Sequence, residues 1–120
     1  MNINNYGITL TRLREDDIMI VRSWRNDPKI SQFMEFRGSI TEEMQHEWFK
    51  SINNEFNYYF IINVDNKKIG LTEIKKIDNS FKSGEFGIFI YEDEYLNHII
   101  PYKVAFALFD FAFYNIKLEK

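Results

Sequence analysis

The spacing of apolar residues along this 120-residue chain changes from a period of two to a helical period and back. Alternation of apolar and polar residues predicts strands with one buried face, and apolar positions three or four apart predict helices. The predicted elements are, in order, a strand over 8–13, helices over 14–26 and 29–34, a helix from 39–41 to 53–54, strands over 58–64, 68–78 and 84–91, a helix from 101 to about 115, and the start of a strand at 118–120.

Proline and capping residues set several of these boundaries. Asp27–Pro28 ends the first helix because the residue before a proline is disfavoured in the helical region. Ser39 or Thr41 caps the next helix, and Ser39 has Glu42 three residues on, as in a capping box. Pro101 suits the first turn of the last helix. The elements together predict an α+β domain with a mixed sheet.

Composition narrows the class of protein. With 45% hydrophobic and 18% aromatic residues the chain can bury a globular core, and 120 residues make one domain at most. With a net charge of −3, the chain lacks the excess of basic residues that is typical of nucleic-acid-binding proteins. Since there is no cysteine and the histidines are His46 and His98, neither a thiolate nucleophile nor a metal site is expected. The polar N-terminus and the lack of an apolar run of about 20 residues favour a cytoplasmic protein outside the membrane.

Several short motifs follow one another in a fixed order. The first is 10–13 together with Ser23-Trp24-Arg25-Asn26-Asp27-Pro28, and the second is Phe36-Arg37 with Ile40-Thr41-Glu42-Glu43 and Trp48-Phe49. The third is Lys68-Ile69-Gly70, and the fourth is Glu85-Phe86-Gly87-Ile88-Phe89-Ile90. The fifth is Phe111-Ala112-Phe113 with Leu118 and Lys120. The series resembles the GNAT N-acetyltransferase superfamily, in particular its branch acting on amino-sugar nucleotides, as in the pseudaminic-acid pathway. The resemblance implies a GNAT (acyl-CoA N-acyltransferase) fold with a mixed, mainly antiparallel sheet. It also implies that 1–120 is a single partial domain whose C-terminal part is missing.

The resemblance further implies where the co-substrate acetyl-CoA binds. In such enzymes the pantetheine arm follows the last strand of the meander, and the pyrophosphate lies on N–H groups at the start of the next helix. The matching positions are Ile88, Phe89, Ile90, Tyr91, Asn97, His98, Ile99, Ile100 and Lys103. The family's loop usually contains glycines, whereas 96–101 has none and Pro101 offers no N–H. Two interpretations stay open: Asn97, His98 or Lys103 assists the loop, or coenzyme affinity is weak or lost.

Acetyl transfer needs a neutral amine, so a carboxylate or an ordered water must take the amine's proton. The resemblance implies Glu85 as the base, with Glu73 on the preceding strand as second candidate. The alternative for each is an exposed residue paired with a neighbouring lysine. Trp24 and Trp48 lie on apolar helical stripes and are expected to pack in the core. The candidates for acceptor binding are Met34, Phe36, Arg37, Gln45, His46 and Glu73.

The leading hypothesis is transfer of an acetyl group from acetyl-CoA to a 4-amino sugar on a nucleotide carrier, in surface-glycan biosynthesis. Arg37 would then pair with the diphosphate and Phe36 would stack on the base or sugar; otherwise Arg37 is a surface charge and Phe36 lies in the core. An N-terminal protein acetyltransferase of the ribosomal-protein type is the nearest competitor. The other class is a non-catalytic remnant or binding domain, for which the uncovered sheet edge predicts a homo-oligomer or pairing with another chain.

Overall fold

The computed structural model describes residues 2–32, 38–96 and 99–119, and its centre is an antiparallel sheet. The described residues form five strands that lie side by side in sequence order: β1 Asn2–Asn5, β2 Ile8–Arg12, β3 Tyr58–Val64, β4 Lys67–Asp78 and β5 Ser83–Ile90. Their helices are α1 Ile18–Asn26, α2 Pro28–Ser31, α3 Glu42–Ile52 and α4 Ile100–Tyr114, with 3₁₀ turns at Glu15–Asp17 and Asp93–Tyr95. The predicted α+β class and mainly antiparallel sheet are confirmed.

The N-terminal segment forms β1, a strand that the alternation pattern does not predict. Tyr6 and Gly7 both have positive φ (55° and 78°), which makes a two-residue turn of the kind that joins twisted strands. The turn pairs β1 with β2 from Asn2 opposite Thr11 onward. The Tyr6 hydroxyl donates to Asp110 Oδ2 at 2.7 Å and so fastens the turn to α4. Because β1 is an exposed edge strand, its polar sequence shows no apolar face to detect.

One face of the sheet is covered by α4. Phe111 of α4 meets the rings of Tyr58 and Phe60 edge-on, with centroids 5.3 and 5.5 Å away. Val104 and Leu108 of the same helix are buried with these rings in one cluster. This side holds the larger apolar core of the described residues, and it fixes the start of α4 beside the end of β5.

The opposite face is covered by α1 and α3. Val21 and Trp24 of α1 are buried against Ile61 of β3 and Leu71 of β4. Thr41 caps α3 because its Oγ1 accepts the Met44 N–H at 3.1 Å, which decides between the two predicted capping residues. These two helices form the wall above the middle of the sheet.

Two predicted elements differ from the structure. The first helix starts later than 14, because Asp17 instead closes a 3₁₀ turn: its carboxylate accepts the Arg14 N–H at 3.0 Å and pairs with Lys68 Nζ at 2.8 Å. Leu118 and Glu119 form no strand; Glu119 donates its N–H to the Lys82 carbonyl at 2.7 Å. Among the described residues, no helix has the length and apolar character needed to cross a bilayer.

Candidate active site

The motif Trp24-Arg25-Asn26-Asp27-Pro28 forms the corner between α1 and α2. Asn26 brackets the backbone of Ile40, since its Nδ2 donates to the carbonyl at 3.0 Å and its Oδ1 accepts the N–H at 2.7 Å. The Asp27 carboxylate accepts the Lys29 N–H at 3.0 Å and caps α2. The corner is therefore fixed by side chains bonded to backbone.

Tyr91, directly after β5, ties this corner to the sheet. Its hydroxyl donates to Asp27 Oδ2 at 2.7 Å, and its ring stacks on Trp24 with centroids 5.8 Å apart. The hydrogen bond from Tyr91 lowers the pKa of Asp27, and the same bond raises the pKa of Tyr91. Both shifts favour the charged carboxylate and the neutral phenol, which are the forms that this hydrogen bond needs.

A groove of about 350 Å³ lies between α2, the end of β5 and the start of α4. Its walls are mainly apolar and are formed by Lys29, Ile30, Ile88, Phe89, Ile90, Asp93, Leu96 and Pro101. Within the described sheet β5 is an edge strand. The Tyr91 N–H donates to the Ile69 carbonyl at 2.7 Å, and N–H groups alternate in direction along an antiparallel strand. The N–H groups of Ile88 and Ile90 therefore point away from β4, toward the outer edge.

A row of polar residues crosses the other face of the sheet beneath α1 and α3. Tyr59, Glu73 and Gly87 are register partners on β3, β4 and β5. A Cβ on Gly87 would lie 2.8 Å from Glu73 Cδ, so the missing side chain leaves room for the carboxyl group over β5. Burial raises the pKa of Glu73, and burial together with the Glu73 charge raises the pKa of Tyr59 to about 12. Glu73 is thus a desolvated carboxyl group on β4, the strand next to the edge strand β5.

Arg25 supplies positive charge beside this row. Its guanidinium lies over the Trp48 ring, 4.8 Å from the centroid, and its Nη1 donates to Gln45 Oε1 at 3.3 Å. Gln45 is fully buried, and its Nε2 donates to the Ile18 carbonyl at 2.7 Å, which fixes the amide. Burial lowers the pKa of Arg25, while the charges of Lys75 and then Arg25 partly offset the rise in the pKa of Glu73. We name these residues the Arg25–Glu73 cluster: Arg25, Gln45, Trp48, Tyr59 and Glu73.

Glu85, the base that the resemblance implies, lies on the same face of β5, two residues before Gly87. Its carboxylate pairs with Lys76 Nζ at 3.4 Å, and both side chains are more than half exposed. The charges of Glu73 and Glu85 both act on Tyr59. The structure therefore places the two candidate carboxylates on the same face of neighbouring strands, Glu73 partly buried and Glu85 exposed.

The other sequence-predicted residues are scattered. His46 is exposed on α3, and 99–100 form the start of α4. Lys103 Nζ lies 3.8 Å from the Cβ position of Gly7, so it extends toward the turn between β1 and β2 and does not line the groove. Within the described ranges, no three His, Asp or Glu side chains are grouped to hold a metal ion. The remaining predicted residues lie outside the described residues: Met34, Phe36, Arg37, Asn97 and His98.

Sequence reasoning assigned no role of their own to Arg25, Lys29 and Tyr59. Arg25 lies within the motif, so the motif was a signal for it, whereas Lys29 follows the motif directly and has no such signal. Tyr59 joins the cluster through strand register, which depends on tertiary pairing and leaves no mark in its local sequence.

The fold, a sheet with helices on both faces, is shared with solved acetyltransferases. Spermidine N-acetyltransferase from Vibrio cholerae, in complex with CoA and spermine, matches with a TM-score of 0.80 at 23% identity, over 95% of this chain and 68% of that one. RimL, a ribosomal L7/L12 alpha-N-protein acetyltransferase in complex with coenzyme A, matches with a TM-score of 0.78 at 13% identity, over 91% and 66%. These likenesses define the fold.

The sequence matches the acetyltransferase (GNAT) domain family over residues 8–120. The chain therefore belongs to the GNAT acetyltransferase domain family. Acetyltransferase PseH of Campylobacter jejuni subsp. jejuni serotype O:2 is 32% identical over 82 residues, which are 68% of this chain and 50% of that protein. PseH of serotype O:23/36 is 32% identical over 79 residues, 66% of this chain and 49% of that protein. The chain thus spans about half the length of these two relatives.

Proposed function

We propose that this chain forms the acetyl-CoA-binding and acceptor-binding part of an N-acetyltransferase that acts on a primary amine. The observation that carries the proposal is the partly buried, desolvated Glu73 carboxyl group, which lies over Gly87 one strand away from the groove edge. Membership of the family supports a coenzyme A-dependent reaction. Acetyl transfer to an amine requires a proton acceptor close to the bound thioester, and Glu73 lies one strand from the groove.

Acetyl-CoA would supply the thioester, and the groove residues suit it. The apolar wall 88–90 fits the pantetheine arm, and the outward N–H groups of Ile88 and Ile90 can donate to its amide and thioester oxygens. Glu73 takes the proton from the attacking amine while the new N–C bond forms. The C–S bond breaks and the coenzyme leaves as the thiolate. A raised pKa brings the Glu73 carboxyl group nearer to the working pH, where a general base is most effective.

We place Glu73 ahead of Glu85 as the base. Glu73 is desolvated and faces Arg25 and Tyr59, whereas Glu85 is exposed to solvent and paired with Lys76. Removing the proton acceptor should lower the rate by about 100-fold or more. Glu73→Gln is therefore expected to abolish most activity and Glu85→Gln to retain most of it; the reverse order would reject this assignment.

For the acceptor we propose an amino sugar linked to a nucleotide. The motif resemblance to the amino-sugar-nucleotide branch supports this class, as do the two relatives named PseH. The fold alone does not favour it, because a spermidine N-acetyltransferase and RimL share that fold. The acceptor panel should therefore contain a nucleotide-linked 4-amino sugar, spermidine and an N-terminal peptide.

Two measurements test the proposal in sequence. Calorimetry with acetyl-CoA on the folded protein should show binding. Acetylation of each amine in the panel is then measured by mass spectrometry of the products. The expected product is the acetylated amino sugar. An acetylated polyamine or peptide instead would reject the amino-sugar acceptor and point to that class of amine. Binding without transfer to any amine would identify a non-catalytic domain. No heat at millimolar acetyl-CoA would reject the proposal.

A further inference from the structure

The groove contains an ion pair to which the proposed acetyl transfer assigns no task. Lys29 of α2 and Asp93 of the 3₁₀ turn after β5 face each other, with Nζ 3.6 Å from Oδ1. The Lys29 ammonium also lies 3.9 Å from the centroid of the Tyr91 ring. Both charged residues line the groove together with Pro101 at the start of α4. The pair therefore lies between the apolar wall of the groove and the helix start.

Lys29 is held in this place by the corner that the sequence motif forms. Its N–H donates to Asp27 Oδ1, while Asp27 Oδ2 accepts the Tyr91 hydroxyl at 2.7 Å. The backbone of Lys29 is thus anchored, and its ammonium lies against an aromatic face, which attracts a cation. Its partner is less constrained, because the Asp93 side chain is 75% exposed and that of Lys29 is 36% exposed.

An anion entering the groove meets one cation among its described lining residues, and that cation is Lys29. Pro101 provides no N–H at the helix start. The Lys103 ammonium extends instead toward Gly7, on another side of α4. Coenzyme A carries a pyrophosphate and a ribose phosphate, and a free lysine ammonium is a suitable partner for either.

We propose that Lys29 binds a phosphate group of acetyl-CoA, and that Asp93 holds Lys29 until the phosphate displaces it. The inference rests on the proposed function, since it names the residue that recognises the charged half of the co-substrate. An exposed ion pair contributes little free energy, so exchanging a carboxylate for a phosphate of higher charge is favourable. Asp93 opposes the phosphate twice, because it competes for Lys29 and repels the anion. The two residues should therefore have opposite effects on affinity.

The test compares coenzyme A with pantetheine, which has the same arm and no phosphate. Calorimetry is run on the wild type, Lys29→Met, Asp93→Asn and Lys67→Met. Lys67 is the matched control, because it pairs with Glu92 and Glu94 and is absent from the groove lining. We expect Lys29→Met to weaken coenzyme A binding about five- to tenfold and Asp93→Asn to tighten it about two- to threefold. Pantetheine binding should be unchanged in both, and Lys67→Met should change neither ligand.

Several results would overturn the inference. Equal weakening of coenzyme A and pantetheine in Lys29→Met would mean that Lys29 only shapes the wall. Unchanged coenzyme A affinity in Lys29→Met, or weaker affinity in Asp93→Asn, would also reject it. These outcomes leave the proposed function standing, provided that the wild type binds coenzyme A. Absence of coenzyme A binding by the folded wild type would reject the proposed function and this inference together. Circular dichroism of each variant confirms that it is folded.

Discussion

Gly87→Ala tests whether the Glu73 carboxyl group is the proton acceptor, because the added methyl group would displace it. A Cβ at this position would lie 2.8 Å from Glu73 Cδ, whereas carbon atoms in contact are about 3.5–4.0 Å apart. The carboxyl group must then retreat by roughly 1 Å, and a misplacement of about 1 Å lowers an enzymatic rate by about 100-fold. Since the obstacle is the end of a flexible side chain, the free energy of unfolding should change by less than about 1 kcal/mol.

The assay measures kcat/KM for the acceptor chosen by the panel, together with the melting temperature. Gly84→Ala is the matched control on the same strand. Its Cβ would lie on the opposite face, 3.0 Å from Ile74 and 3.2 Å from Leu118, so it should lower the melting temperature and leave kcat/KM of the folded protein unchanged. A folded Gly87→Ala protein with wild-type kcat/KM would refute the role of Glu73 and leave Glu85 as the carboxylate to test.

Three further outcomes are expected. Glu73→Gln should stabilise the protein at neutral pH, because burial raises the pKa of Glu73 and the carboxylate destabilises the fold once the pH rises through that value. The gain in stability should vanish below about pH 4.3, the pKa of an unfolded glutamate. If thermal unfolding shows the same gain at every pH, the Glu73 carboxylate is not its cause. Gln45→Ala should cost about 2 kcal/mol in urea unfolding, because the Ile18 carbonyl loses its buried partner; a neutral effect would show that the amide is dispensable. Tyr91→Phe should lower the free energy of unfolding by about 1 kcal/mol, because the hydrogen bond to Asp27 is lost, and it should weaken coenzyme A binding. Unchanged coenzyme A affinity in calorimetry would show that this bond does not affect the groove.

Sequence patterning predicted the elements whose apolar residues have a clear period. The strand over 58–64 has the bounds of β3, and the last helix differs from α4 by about one residue at each end. β1 was not predicted because its pairing depends on the turn formed by the positive φ of Tyr6 and Gly7. Its own sequence is polar and shows no alternation of apolar and polar residues. Local period therefore predicted the strands with an apolar alternation and missed the polar strand β1, which has none.

The candidate site was harder to predict, because it depends on which residues become neighbours across strands. Glu85 is the more conspicuous glutamate in the sequence, since it opens a recognisable motif, and Glu73 has no motif of its own. Strand pairing places Glu73 opposite both Tyr59 and Gly87, and the small residue on β5 allows its carboxyl group to be buried there. Burial, not local sequence, therefore separates the two carboxylates.

The corner motif joins the two halves of the proposed reaction. Arg25 contributes to the cluster around Glu73, and Lys29, four residues later, lines the groove. Asp27 lies between them, caps α2 through the Lys29 N–H and accepts the Tyr91 hydroxyl, so it ties the Lys29 backbone to the end of β5. An arginine and a lysine on flexible loops would each lose conformational freedom when their ligand arrived. On one hydrogen-bonded corner they would lose less, and the proposed acceptor and coenzyme sides would keep a fixed separation. If the proposed transfer is right, this corner is also the element that would position its two substrates.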